Sequence, residues 1–370
     1  MYNINAFKEA EIIVRSPGRI NLIGEHTDYN SGYCLPASIS KAIYFGIQPS
    51  SKIQIHALDF NQYTSDLDQK FSWEIYFIGV LNLLEKEGFK IPAFAVKFSG
   101  DLPSGAGLSS SSSIVCGFLY LLNEYYSLGL DKMKLTEYAV RAERANGLMG
   151  GMMDQISIMN GAKNKAIWIR CDTWSFTEVP VNLTDSEWLV IDTKVKHNLI
   201  QTDYNSRSLS CQSIREKLLK NSLINSHISQ IDSNSLKSVR NLLTEQEFIY
   251  LSYVVEENER VLNFIEKIRS GDKISLGKIL IDGHKGLKDK YNVSCKELDF
   301  LVDFATDDQD CYGAKMMGGG FGGSTIHLLH KDYVEEYQNK ISLAFKNKFG
   351  FNPDIFVAQI EDGVSLYTKN

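Results

Sequence analysis

The sequence predicts an α+β protein of two domains, and three observations carry that prediction. The chain has 370 residues, enough for more than one hydrophobic core. Its first half reads as strand, glycine-rich loop and helix in succession, with more strands toward the middle. Its second half is mostly helical in spacing until a strand pair forms around GGGFGG (318–323). A boundary near residue 185 gives domains 1–185 and 186–370.

The elements follow in order. EIIVRSP (11–17) is a β-rich run that Pro and Gly should stop, which puts RINLIGEHTDYNSGYCLP (19–36) at a strand end and in the loop beyond. Residues 71–87 have helical spacing, AFAVKFSG (93–100) reads as a strand, and SSSSSIVCGFLYLLNEYYSLG (109–129) as a helix after a Gly-rich turn. A helix over about 135–146 precedes GLMGGMMDQ (147–155), and AIWIRCD and EWLVIDTK are strand candidates. Residues 218–241 are rich in Ser and Asn, and 245–268 form a long amphipathic helix.

Composition narrows the function classes. Hydrophobic residues make up 44% and charged residues 23% of the chain, and the net charge of -6 supplies no global field for nucleic acid or an anionic membrane. Small molecules are the expected partners. The six cysteines are scattered without a C-x-x-C pair, as expected of reduced thiols in a cytoplasmic protein without zinc. The longest apolar run, 114–122, is about half of the roughly 20 residues a membrane span needs.

Three constellations carry chemistry. In LPSGAGLSSSSS (102–113), small residues let the backbone turn and present N–H groups, and the helix behind them points its positive end into the loop. Such a loop accepts a phosphate, although a Ser-rich cap on a buried helix explains it as well. No Lys follows the glycines, so it is not the familiar G-x-x-x-x-G-K-[ST] loop. In RAERANGLMGGMMDQ (141–155), Glu143 and Asp154 are spaced so that one carboxylate could serve a metal and the other a proton transfer; taken alone, an Asp in such a loop is more often a helix cap than a base. In GAKMMGGGFGGSTIHLL (313–329), five glycines around Phe321, ahead of an apolar strand, mark either a close backbone approach or a plain hairpin.

Taken together and in this order, these segments resemble the three motifs of the GHMP kinase superfamily. The core Gly18, Arg19, Asn21, Leu22, Ile23, Gly24, Glu25, His26, Asp28 and Tyr29 narrows the resemblance to galactokinases. It implies a ribosomal protein S5 domain 2-like N-terminal domain and an α+β GHMP C-terminal domain. It further implies transfer of the γ-phosphoryl group of MgATP to the anomeric hydroxyl of α-D-galactose, in the Leloir pathway of galactose metabolism, by a monomer. A sugar hydroxyl needs a base and charge stabilisation near it, and an uncharged sugar must be recognised through hydrogen bonds.

By resemblance, Asp154 is the base and Arg19 its partner, while Glu25, His26, Asp28, Gly151, Asp154 and Tyr204 bind the sugar. Trp73 and Tyr76 match the pair held against adenine. Ser104, Gly105, Ala106, Gly107, Leu108, Ser109 and Ser110 cover the phosphates, and Ser111 and Glu143 hold Mg²⁺. Outside the pattern, His26 would read as a structural histidine and Trp73 with Tyr76 as core. The chain departs from the family in three places. The interval from Glu143 to Asp154 is one residue short and is similar to that of mevalonate kinases; Gly150 replaces a frequent Cys; Ser112 and Ser113 stand where Ala is preferred. The rival readings are a kinase for N-acetylgalactosamine or L-arabinose, a silent galactose and ATP sensor, and an isoprenoid or amino acid kinase, which Glu25 and Asp28 disfavour.

Overall fold

Pro17 and Gly18 do not stop the first strand. In the computed structural model, β1 (Ile12–Asn21) runs straight through them, and its pairing register with β3 (Pro36–Pro49) shifts between Pro17 and Arg19. A bulge is where a sheet tolerates a proline that cannot donate, and it re-aims the residues that follow. Here that residue is Arg19. A Cβ on Gly18 would lie 2.3 Å from Leu102 Cδ1 and 3.0 Å from Leu108 O, so only glycine lets the strand pass this close to the 102–113 loop. The structure describes residues 4–65, 67–145, 151–195 and 200–367, with the backbone alone for 200–205.

Three sheets form among these residues. The first has the order β13-β1-β3-β6-β4-β5, with β4 (Gln54–Ala57), β5 (Gln62–Thr64), β6 (Phe94–Gly100) and β13 (Ser365–Leu366). Only the β4–β6 pairing is parallel. The last strand of the chain thus extends the sheet that the first strand began. Packed against this sheet are α1 (Glu74–Lys86), α2 (Ser110–Tyr126) and α4 (Met153–Asn160), with α3 (Lys132–Ala145) laid on those three helices, around a core of Phe45, Phe77, Phe94, Phe98 and Phe118. The second sheet pairs β2 (Tyr33–Cys34) with β7 (Lys165–Arg170) and β8 (Ser175–Pro180).

The third sheet has the order β10-β11-β9-β12 and is antiparallel throughout: β9 (Ser186–Asp192), β10 (Cys311–Met317), β11 (Ser324–His330) and β12 (Asp354–Val357). Both faces of β9 are buried, Trp188 and Val190 in one core and Leu189 and Ile191 in another. That explains its unbroken apolar run. The helices of this half are α5 (Ile200–Lys220), α6 (Ser233–Leu236), α7 (Glu245–Ser270), α8 (Lys273–Lys285), α9 (Lys296–Asp307) and α10 (Val334–Phe349). α7 begins in a capping box between Thr244 and Glu247 and ends on Gly271 at φ 71°, so its sequence fixes both ends. Beyond the end of α5, the Ser- and Asn-rich stretch holds short helical turns, among them α6, whose N-cap Asp232 accepts from Ser235 N.

Candidate active site

α2 starts without a side-chain cap. Ser109 occupies the N-cap position at φ 59°, and its hydroxyl donates to Asp154 Oδ2 at 2.5 Å instead of to the helix. A capping serine normally satisfies one of the first N–H groups. With that hydroxyl turned away, the helix start offers its donors and its dipole to an anion. Gly105 (φ 78°) and Gly107 (φ 72°) supply the left-handed turns that bring the 102–109 loop over it.

Asp154 lies in the first turn of α4, and Arg19 reaches it from β1. Arg19 Nε donates to Asp154 Oδ1 at 2.8 Å and Nη1 donates to Gly107 O at 2.5 Å. One guanidinium therefore joins the loop to the carboxylate. Arg19 is 5% exposed whereas the Asp154 side chain is 27% exposed, so a buried anchor holds a half-open carboxylate. The glycine loop 318–323 closes on the same place: Ser324 Oγ donates to Ala106 O at 2.6 Å, and a Cβ on Gly107 would come within 3.4 Å of Met317 O.

Asp28 stands beside this pair. Its Oδ2 accepts from Gly151 N at 3.1 Å, and burial, followed by the nearby Asp154 charge, pushes its carboxyl up to about 6. Two carboxylates, an arginine and an uncapped helix start thus lie side by side. Family models match along the chain: the galactokinase galactose-binding signature over residues 4–49, the GHMP kinases N-terminal domain over 76–162, and the GHMP kinases C-terminal domain over 264–347. A galactokinase of Thermotoga neapolitana is 34% identical over 354 residues, covering 95% of this chain and 99% of that protein. The chain belongs to the galactokinase family.

A galactokinase of Pyrococcus furiosus is 36% identical over 362 residues, covering 96% of this chain and 100% of that protein. The crystal structure of Lactococcus lactis galactokinase complexed with galactose superposes with a TM-score of 0.90 at 28% identity, covering 97% of this chain and 95% of that one. As a galactokinase-family member the chain is a GHMP sugar kinase, of α+β fold with GHMP N- and C-terminal domains, and nucleotide use comes with the superfamily.

Among the residues expected to hold the metal, Glu143 has a distinctive environment. Its Oε2 accepts from Ser112 Oγ at 3.2 Å and from Gln155 Nε2, whereas Oε1 is buried with no hydrogen-bond partner among the described residues. Burial, with Asp154 adding to it, pushes the carboxyl up to about 7. A dication would relieve both the orphaned oxygen and the repulsion, so these residues fit Mg²⁺. Burial pushes the Tyr76 hydroxyl up, and the Glu143 charge and the Ser111 side chain both act on it as well. The extra serines are occupied: Ser112 holds Glu143, and Ser113 Oγ donates to Ser16 O at 2.9 Å, fastening α2 to β1.

The other expected residues separate into groups. Trp73 is 6% exposed, donates to Gln62 Oε1 at 2.7 Å, and stacks on Phe71 in the core with Phe77 and Phe98; Tyr76 is only half-buried. His26 lies at φ 59°, with Nδ1 2.8 Å from the Tyr29 hydroxyl and Nε2 3.2 Å from Gly319 O. A carbonyl only accepts, so the neutral ring carries its proton on Nε2 and Nδ1 takes the Tyr29 hydroxyl's. Burial agrees, lowering this imidazole to about 3. Glu25 is buried against Lys315. Tyr204 falls in α5 where side chains lie outside the described residues, as Gly150 does entirely.

Sequence reasoning passed over Gln155, Lys315 and Glu257, and it gave Ser109 only a phosphate-covering role. A signal existed for Lys315 and Glu257. Each interrupts an apolar run, in AKMM and VVEENERV, at a position whose spacing faces the core. Gly151 yields a direct test. A Cβ there would lie 2.3 Å from Asp28 Oδ2, so Gly151→Ala should raise the galactose KM about tenfold in steady-state assays and leave the ATP KM near that of the parent.

Proposed function

We propose that this galactokinase-family member transfers the γ-phosphoryl group of MgATP to the C1 hydroxyl of α-D-galactose, giving α-D-galactose 1-phosphate and ADP for galactose metabolism. The observation that carries the reading is the Asp154 carboxylate, held by Arg19 and Ser109 at the uncapped start of α2. Asp154 accepts the C1 hydroxyl proton as that oxygen bonds to the γ-phosphorus and the bond to the bridging oxygen of ADP breaks. Arg19 fixes the plane of the carboxylate and keeps the phosphate loop against it. A bound Mg²⁺ would neutralise phosphate charge, with Ser111 and Glu143 as its protein ligands.

The sugar-contacting set is Asp28, Asp154, His26, Tyr204 and the backbone near Gly151, and Glu25, buried against Lys315, supports them from behind. Ser104 to Ser110 take the phosphates, and Tyr76 with Trp73 takes the adenine side. Six unpaired cysteines, five of them buried, suit a reducing cytoplasm. No helix among the described residues is long and apolar enough to cross a membrane.

Asp28 gives the reaction a pH dependence. Its folded value of about 6 lies above the ordinary 3.8, so this group binds its proton more tightly in the native state. Its contribution to stability therefore falls as pH rises between those values. For binding the sign is opposite: the ionised form accepts hydroxyl protons, so the galactose KM should rise as pH falls through about 6. Initial-rate profiles check this, and Asp28→Asn should abolish that titration.

Sugar-dependent ADP release from MgATP, measured with galactose, glucose, N-acetylgalactosamine, L-arabinose and mevalonate, tests the whole reading. Phosphorus NMR then identifies the phosphorylated position. Turnover led by galactose, at C1, is the expected result. Turnover led by another compound would replace the substrate, and binding of galactose and ATP without turnover would make the protein a sensor.

A further inference from the structure

Lys315 is fully buried, a rare state for an ammonium group. It lies on β10 just before the glycine loop, and its Nζ forms an ion pair with Glu25 and donates to Met316 O at 3.1 Å. Glu25 is just as deeply placed, with side-chain exposure of 1%. A second buried charge holds the neighbouring residue: Glu257 of α7 accepts Gly24 N at 2.9 Å through Oε1 and Arg260 Nε at 2.7 Å through Oε2. The Tyr253 hydroxyl adds a bond to Glu25 O at 2.9 Å. Residues 24 and 25 are thus gripped from β10 and α7, both far along the chain.

Such a pair is a costly way to fill a core. Desolvating two ions consumes most of their attraction, and apolar residues of similar size commonly serve stability equally well. What the ions add is directional placement. Gly24 shows how narrow that placement is: at φ 94° a Cβ would lie 2.4 Å from Tyr33 O. The gripped residues lead directly into Asp28, whose carboxylate meets Gly151 N and faces Asp154.

We propose that Lys315 is a positioning residue for sugar recognition, acting through Glu25 to hold the 24–28 segment in the geometry that presents Asp28 to the sugar. This role rests on the galactokinase reading above. It belongs to the sugar side of the site alone, because the phosphate loop is held by the separate contacts of Arg19 and Ser324.

The test compares the parent, Lys315→Arg, Lys315→Met and the double variant Glu25→Gln/Lys315→Met. Galactose affinity is measured by calorimetry, kcat and both KM values by steady-state kinetics, and folding by thermal unfolding. Lys315→Met should raise the galactose Kd and KM about tenfold or more, with the ATP KM within about twofold of the parent. Lys315→Arg, which keeps the charge, should recover most of that loss. The double variant leaves no unpaired buried charge, so it folds even if Lys315→Met does not, and its galactose KM should stay raised. A folded Lys315→Met or double variant with the parent's galactose KM would overturn the role, as would an equal rise in both KM values. A parent that binds no galactose at all would defeat the galactokinase reading first, a result distinct from either.

Discussion

Asp154→Asn should lower kcat by about 10²- to 10⁴-fold, the range removed with a general base, while the galactose Kd stays near that of the parent. Asn keeps an oxygen for Arg19 Nε, and the Ser109 hydroxyl can turn to accept from the new amide, so the local frame survives. What disappears is the site that takes the C1 proton as the oxygen attacks phosphorus. Single-turnover rates with calorimetric galactose binding make the check. A variant that kept most of its turnover would remove Asp154 from the role of base.

Arg19→Lys should lower kcat/KM by about 10²-fold, and with a different signature. The guanidinium spans two acceptors in different directions, Asp154 Oδ1 and Gly107 O, which one ammonium on a flexible stem cannot hold together. The loop as well as the carboxylate loses its hold, so the ATP KM should rise with the fall in kcat. Asp154→Asn leaves that KM alone. Because Arg19 is buried, a loss of stability of about 1–3 kcal/mol from an unpaired acceptor should accompany the change, visible as a lower Tm. Equal ATP KM values in parent and variant would show that Arg19 does not support the loop.

Much of the site could be read from the chain because its chemistry is local. The loop 102–109 and the helix after it are contiguous, so small residues and serines suggest a phosphate site without tertiary information. The paired carboxylates 143 and 154 are likewise close in sequence. The expected end of β1 at Pro17 was not local: whether proline ends a strand or sits in a bulge depends on the partner strand, here β3. Trp73 shows the same limit, since helical spacing is identical for a core indole and for one held against a base. In the fold its indole bonds to Gln62 and stacks on Phe71, contacts that helical spacing alone does not specify.

The sequence by itself determined the superfamily and the order of its three motifs, and it singled out Asp154 with Arg19 and the 102–109 loop as candidates, since each depends on residue type at short spacing. Only the tertiary structure decided how the polar groups of the first motif are divided. Asp28 meets Gly151 at the site, His26 spends its two nitrogens on Tyr29 and Gly319, and Glu25 is tied to Lys315, 290 positions away along the chain. A side chain's hydrogen-bonding capacity is written in its chemistry, but which partner uses it is set by long-range packing, and burial makes an unused donor or acceptor too costly to keep.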